Sequence, residues 1–203
     1  MNKIFSNGVY IYPTDTVWGI GASIFSEEGT RLVRKIKGNS QDKPLSVLFS
    51  SFAGLNEFIE IPNELAKYDF MKVFSMEATV GFPKEWFKKD IPTWVTSNSN
   101  IVAVRVLEFS FLSDIISKEG GAITTTSLNK ASENPITDFS LAKRFYLSEK
   151  ESLEDVNFVE GEECRPSGRS SSMIFFDVNH KIKIIREGKF IDELQKLLRI
   201  SPT

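Results

Sequence analysis

The stretch Val9-Tyr10-Ile11-Tyr12-Pro13-Thr14-Asp15-Thr16-Val17-Trp18-Gly19-Ile20-Gly21 decides how this chain is read. Val9 and Ile11 recur with the period of a strand over residues 9–12, and the run ends in a Pro-Thr-Asp-Thr turn. Such a turn places small hydroxyl side chains and free backbone N–H groups at a strand's end, where α/β folds bind ligands. Gly19 and Gly21 let a ligand approach the backbone closely. Residues 27–37 follow as a helix with Leu32, Val33 and Ile36 on its apolar stripe, and Arg31, Arg34, Lys35 and Lys37 make its C-terminal end cationic. Pro44 then opens a strand over residues 45–49, a strand-helix-strand crossover that favours some parallel pairing. An anion is the expected guest. A capped turn followed by a solvated basic helix face would explain each piece alone; it is their order that points to a site.

Further along, the pattern predicts helices over residues 62–70, 109–118, 138–145 and 191–200, and strands over 94–99, 101–107, 122–126 and 156–159. Residues 75–83 fit no single pattern. A hairpin is expected from residues 172–177 and 181–186. Residues 147–168 are charged and weakly periodic, either a solvated connector or a mobile cover. With no internal repeat, the 203 residues read as one α/β domain, 1–203, with a twisted mixed β-sheet flanked by helices and a concave basic ligand cavity.

Composition narrows the function. The single cysteine, Cys164, excludes an intramolecular disulfide, and no apolar run is long enough for a bilayer, so a cytoplasmic protein without a membrane partner is expected. Cys164 and His180 cannot alone build a structural zinc site, and no Gly-Lys-Ser/Thr phosphate loop is present. The formal net charge of −2 argues against a general nucleic-acid coat, whereas positive charge gathered over residues 31–43 suits a small polyanion. Thr14, Thr16, Ser127, Asn129 and residues 170–172 at strand ends, with Lys37, Arg105 and Arg186, supply the directional hydrogen bonds and cations that adenylate-forming chemistry needs.

The order of these blocks resembles the YrdC-like family, whose characterised members are threonylcarbamoyl-adenylate synthases acting in formation of N6-threonylcarbamoyladenosine in tRNA. The resemblance covers nearly the whole chain. It rests on residues 13–21, Lys37-Gly38-Asn39 with Lys43-Pro44-Leu45, Ile101-Val102-Ala103-Val104-Arg105, Ser127-Leu128-Asn129, Ser172-Met173-Ile174 and Ile184-Ile185-Arg186-Glu187-Gly188. It implies a nucleotidyltransferase using L-threonine, bicarbonate and ATP, with Mg2+ carried on the triphosphate. By the same resemblance Lys37 and Arg105 are the catalytic residues; Thr16, Arg105 and Ser172 hold threonine; and Lys37, Asn39, Lys43, Ser127, Asn129 and Arg186 hold the nucleotide. Partners would be these small molecules, together with tRNA or downstream threonylcarbamoyl-transfer proteins.

The chain also departs from the family pattern. Asn39 stands where a Lys-x-Arg arginine is usual, with Lys43 as a substitute charge lacking the planar fork. Phe74-Ser75-Met76-Glu77-Ala78-Thr79 replaces a Trp-Pro-Gly-Pro-Leu-Thr-like loop, Leu48 replaces a polar or aromatic group, and Pro135 stands where a serine is common. Two other readings therefore stay open: a catalytically altered YrdC-like protein binding RNA or nucleotide through residues 31–43, and a carbamoyl-adenylate former with a different acceptor.

Overall fold

In the computed structural model, which describes residues 6–38, 43–151, 153–161 and 163–200, the expected first strand is β1 (Val9–Tyr12). It is followed by a strand the sequence did not announce, β2 (Gly19–Ala22), paired antiparallel with β1. Its glycines hid it, because glycine weakens strands in general. The requirement at Gly21 is steric: a Cβ there would lie 1.7 Å from the Thr124 carbonyl oxygen. The neighbouring strand, not a ligand, demands that glycine.

Helix α1 (Glu27–Lys37) has the expected bounds. The Ser26 hydroxyl accepts from Gly29 N–H at 2.9 Å, acidic Glu27 and Glu28 occupy the first turn, and Gly38 ends the helix at φ +65°. The chain continues through β3 (Ser46–Phe49), α2 (Phe52–Asn56), α3 (Phe70–Ser75), β4 (Ala78–Pro83), α4 (Thr93–Thr96) and β5 (Ile101–Val106). After these come α5 (Ser110–Lys118), β6 (Ile123–Ser127), α6 (Phe139–Lys150), β7 (Val156–Phe158), β8 (Ser172–Phe176), β9 (Ile182–Arg186) and α7 (Ile191–Leu198).

The strands form one mixed sheet in the order β7-β1-β2-β6-β3-β5-β4-β8-β9. Strands β2 and β3 are both antiparallel to β6 and so run the same way. The crossover through α1 therefore joins β2 to β3 across an intervening strand, rather than linking β1 to its neighbour.

Period-2 alternation gives this sheet two unlike faces. Val47 and Phe49, Val80 and Phe82, Val102 and Val104, and Ile174 and Phe176 belong to the main core, with α1 contributing Leu32, Val33 and Ile36 and α7 contributing Leu194 and Leu198. Phe82 and Phe176 are fully buried and stack with centroids 5.8 Å apart, binding β4 to β8. On the other face, Tyr12, Leu48, Leu107 and Ile123 meet Leu112 and Ile116 of α5 in a smaller cluster. That helix covers only part of the face.

Several expectations need correction. The helix expected over 62–70 is a single 3-10 turn (Asn63–Leu65), and helical structure resumes only at Phe70. The strand expected over 94–99 is the helix α4: Pro92 precedes its first turn, Ser97 and Asn98 reverse the chain at φ 48° and 63°, and Val95 is buried in the core. Burial there overrides the β-preference of Thr and Val. Within 147–168, the beginning is the end of α6, and Val156–Phe158 is an edge strand parallel to β1. Much of that segment is thus built into the fold. No helix among the described residues is long and apolar enough to cross a membrane.

Candidate active site

Where α5 leaves the second face uncovered, a cavity of about 220 Å³ opens. Its residues follow strand parity: Ser46 and Leu48 from β3, Thr79 from β4, Arg105 of β5 and Leu107 just beyond it, Thr125 and Ser127 from β6, Met173 of β8 with Ser171 just before it, and Arg186 from β9. Thr14, Thr16 and Trp18 close one side. Among the described residues the lining carries two guanidinium groups and no carboxylate.

The Pro-Thr-Asp-Thr turn is fixed by its own side chains. Thr14 Oγ1 donates to the Val17 carbonyl at 2.6 Å and accepts from the Thr16 and Val17 N–H groups, each at 3.2 Å. Because that proton is committed, the 2.9 Å contact between the two hydroxyls runs from Thr16 to Thr14. Thr16 then keeps its lone pairs to accept a hydrogen bond from a ligand. The loop before β8 clamps the turn from outside: Ser167 N–H donates to the Asp15 carbonyl at 2.8 Å and Gly168 N–H to the Thr16 carbonyl at 2.9 Å.

Arg105 is 6% exposed, and one terminal nitrogen donates to the Asp15 carboxylate. Arg186 is held differently: Nε donates to the Ser171 carbonyl at 2.9 Å and a terminal nitrogen to Ser171 Oγ at 3.0 Å. Ser171 Oγ also shares a hydrogen bond with Thr79 Oγ1, 2.7 Å away. Burial, and then the nearby charge of Arg105, hold the Arg186 guanidinium below its ordinary pKa. Two guanidinium charges against the single Asp15 carboxylate that Arg105 meets leave the cavity positive.

Lys37 is 4% exposed and stands behind the Ser127 wall. Its ammonium donates to the Ser127 carbonyl at 2.5 Å, the Asn129 carbonyl at 3.2 Å and Asn129 Oδ1 at 3.0 Å. With only neutral acceptors, burial pulls its pKa down to about 8.

Of the residues singled out in the sequence, Thr16, Arg105, Ser127 and Arg186 line the cavity together. Lys37 adjoins it through Ser127. Asn129 is a support: its Oδ1 also accepts from Ser127 Oγ at 2.6 Å, and its Nδ2 donates to the Lys130 and Glu133 carbonyls. The Ser172 side chain does not reach the cavity, whereas Ser171 does. The Ser172 side chain is fully buried on the core face, where its Oγ accepts from Gly188 N–H at 3.0 Å. Parity carries the signal that was missed, since Ile174 and Phe176 point Ser172 to the core and so turn Ser171 and Met173 to the cavity. Lys43 is exposed and outside the lining; its carbonyl accepts from Arg34, and Pro44, Leu45 and Ser46 reach the cavity instead. Asn39 lies outside the described residues.

The cations of α1 are split between core and solvent: Arg34 is buried and donates to the Trp94 carbonyl at 2.9 Å and Lys37 is buried, whereas Arg31, paired with Glu28, and Lys35 stay exposed. Among the described residues, no group of three or more His, Cys, Asp or Glu side chains is placed to hold a metal.

Comparison with known proteins gives concordant results. A threonylcarbamoyl-AMP synthase from Hydrogenovibrio crunogenus is 26% identical over 137 residues, covering 66% of this chain and 72% of that protein. One from Wigglesworthia glossinidia brevipalpis is 29% identical over 138 residues, covering 66% and 69%. The crystal structure of P. abyssi Sua5 complexed with L-threonine superposes with a TM-score of 0.76 at 23% identity over 94% of this chain, which spans about half (54%) of that longer protein. The family model Sua5_yciO_yrdC, described as telomere recombination, matches residues 2–188. The chain belongs to the Sua5/YciO/YrdC family.

Proposed function

We propose that this protein is a threonylcarbamoyl-AMP synthase, a nucleotidyltransferase that makes threonylcarbamoyl-AMP and pyrophosphate from L-threonine, bicarbonate and ATP. The observation that carries the reading is the polar cavity, in which Arg105 and Arg186 share a hollow walled by the hydroxyls of Thr16, Ser127 and Ser171, with no carboxylate among the described lining residues. The threonylcarbamoyl-AMP synthase relatives and the L-threonine bound by P. abyssi Sua5 supply the identity of the substrates.

In the proposed reaction, the threonine amine and bicarbonate give a carbamate and water. The carbamate carboxylate attacks the α-phosphorus of ATP; an O–P bond forms, the bond to the β-phosphate oxygen breaks, and pyrophosphate leaves with the electron pair. Such a step needs positioning and charge stabilisation more than a protein base. Arg105 would take the threonine carboxylate through its planar fork, and Thr16 would accept from the substrate nitrogen or hydroxyl. Arg186, Ser127 and the charge of Lys37 would face the phosphates. Mg2+ would enter as the ATP complex, because the described lining residues offer it hydroxyls and no carboxylate cage. A cavity of 220 Å³ is below the usual ligand-pocket range of about 300–1,000 Å³, so part of the nucleotide would lie across the rim. The activated product would pass to an enzyme that transfers the threonylcarbamoyl group to adenosine in tRNA.

The test is pyrophosphate release by purified protein with ATP, Mg2+ and bicarbonate, with and without L-threonine. Strictly threonine-dependent release supports the reading. Equal release without threonine, or none with it, rejects it.

A further inference from the structure

We infer that Asp15 is a positioning residue for the substrate carboxylate: it pins one corner of the Arg105 guanidinium from outside the polar cavity and leaves the remaining donors to take the amino acid. This rests on the synthase reading above and gives the Asp15 side chain a role beyond that of a counter-ion.

Three observations carry it. First, the ion pair is end-on. A single terminal nitrogen of Arg105 meets a single oxygen of Asp15, and that is the only hydrogen bond of the guanidinium among the described residues. Arginine has five N–H donors, so a fork for a second carboxylate stays available. None of its nitrogens is sealed away from solvent without a partner.

Second, Asp15 meets the guanidinium from outside the lining of the cavity. Arg105 lines the polar cavity and Asp15 does not. Asp15 instead lines a neighbouring apolar cleft with Phe52, Phe74 and Phe109, and only Leu107 is shared between the two hollows. A carboxylate placed outside the lining does not occupy the ligand's space.

Third, Asp15 is itself immobilised. Its carbonyl receives Ser167 N–H, and the residues on either side are locked through Thr14 Oγ1. An arginine held against a rigid anchor gives up less conformational freedom when ligand binds, which is where preorganisation contributes affinity. Removing the Asp15 charge leaves Arg105 and Arg186 with less nearby negative charge, so it should not weaken binding of a polyanion to the rest of the cavity.

The two kinds of substrate should therefore respond differently. In calorimetric titrations, Asp15→Asn is expected to raise the Kd for L-threonine by about 10-fold or more, while the Kd for MgATP stays within about 3-fold of wild type. Asp15→Glu keeps the charge but moves it by a methylene, so its threonine affinity should fall between the two. Unchanged or tighter threonine binding by Asp15→Asn would make the aspartate a bystander or a competitor and overturn the inference. Parallel loss of threonine and ATP binding, accompanied by a lower Tm, would also overturn it, as the mark of a purely structural role. Wild-type protein that binds no threonine would reject the synthase reading itself before any variant is compared, and the inference falls with it.

Discussion

The two faces of the same strands are built from opposite chemistry. On β5, Val102 and Val104 join a core closed by helices, while Arg105, one residue on, opens into the cavity. On β8, Ile174 and Phe176 pack inward and Met173 faces out, with Ser171 continuing the outward parity. One face holds the main core, and the other carries the proposed chemistry beside its smaller apolar cluster. Strand parity keeps the main core apart from the cavity, so at Phe82 and Arg105 it predicts whether a substitution affects folding or ligand binding.

The most severe break should come from the core face. Phe82→Ala removes a fully buried ring stacked on Phe176, and large-to-small changes of this kind cost about 3–5 kcal/mol. Chemical denaturation should show that loss, with threonine affinity retained in whatever remains folded. Arg105→Ala on the opposite face should lower threonine-dependent pyrophosphate release about 100-fold or more at nearly unchanged Tm. Arg186→Lys sharpens the contrast within the cavity. It replaces a fork that spans the Ser171 carbonyl and hydroxyl by a point charge, and should weaken ATP about 10-fold without altering threonine affinity.

A smaller effect should appear with pH. Lys37, with a pKa near 8, is charged at pH 7 and loses its proton as pH rises through that value. ATP affinity should then fall about 3- to 10-fold between pH 7 and 9, whereas threonine binding through Arg105 stays flat. Stability should move the other way. The penalty for burying the ammonium is fully present below pH 8 and is relieved as pH rises from there toward the unfolded-state value of about 10.4. Least affected should be Glu77→Gly. It relieves a non-glycine residue at φ 51° but deletes the 2.8 Å hydrogen bond from Ser167 Oγ, so thermal melts should shift by about 1 kcal/mol or less.

What the sequence conveyed follows from how local each signal is. Helix α1 was readable to the residue because its cap, stripe and terminal glycine all lie within residues 26–38. The ligand-facing turn was readable too, since threonine hydroxyls following a strand bind their own backbone. Strand β2 was obscured because Gly21 is explained by β6, about a hundred residues away. The α4 segment was misread because its β-branched residues are held by burial rather than by preference. Block resemblance points to Ser172, whereas the parity set by Ile174 and Phe176 turns Ser171 toward the cavity. Lys43 attracted notice as a charge near a missing arginine, but its side chain is exposed and the cavity is reached by Ser46 instead.

The most direct measurement is a crystal structure with L-threonine and a non-hydrolysable ATP analogue. The expected result places the threonine carboxylate on the free donors of Arg105 with Asp15 still paired to it, and the triphosphate toward Ser127 and Arg186. Threonine bound away from Arg105, or a nucleotide seated outside this face of the sheet, would contradict the assignment.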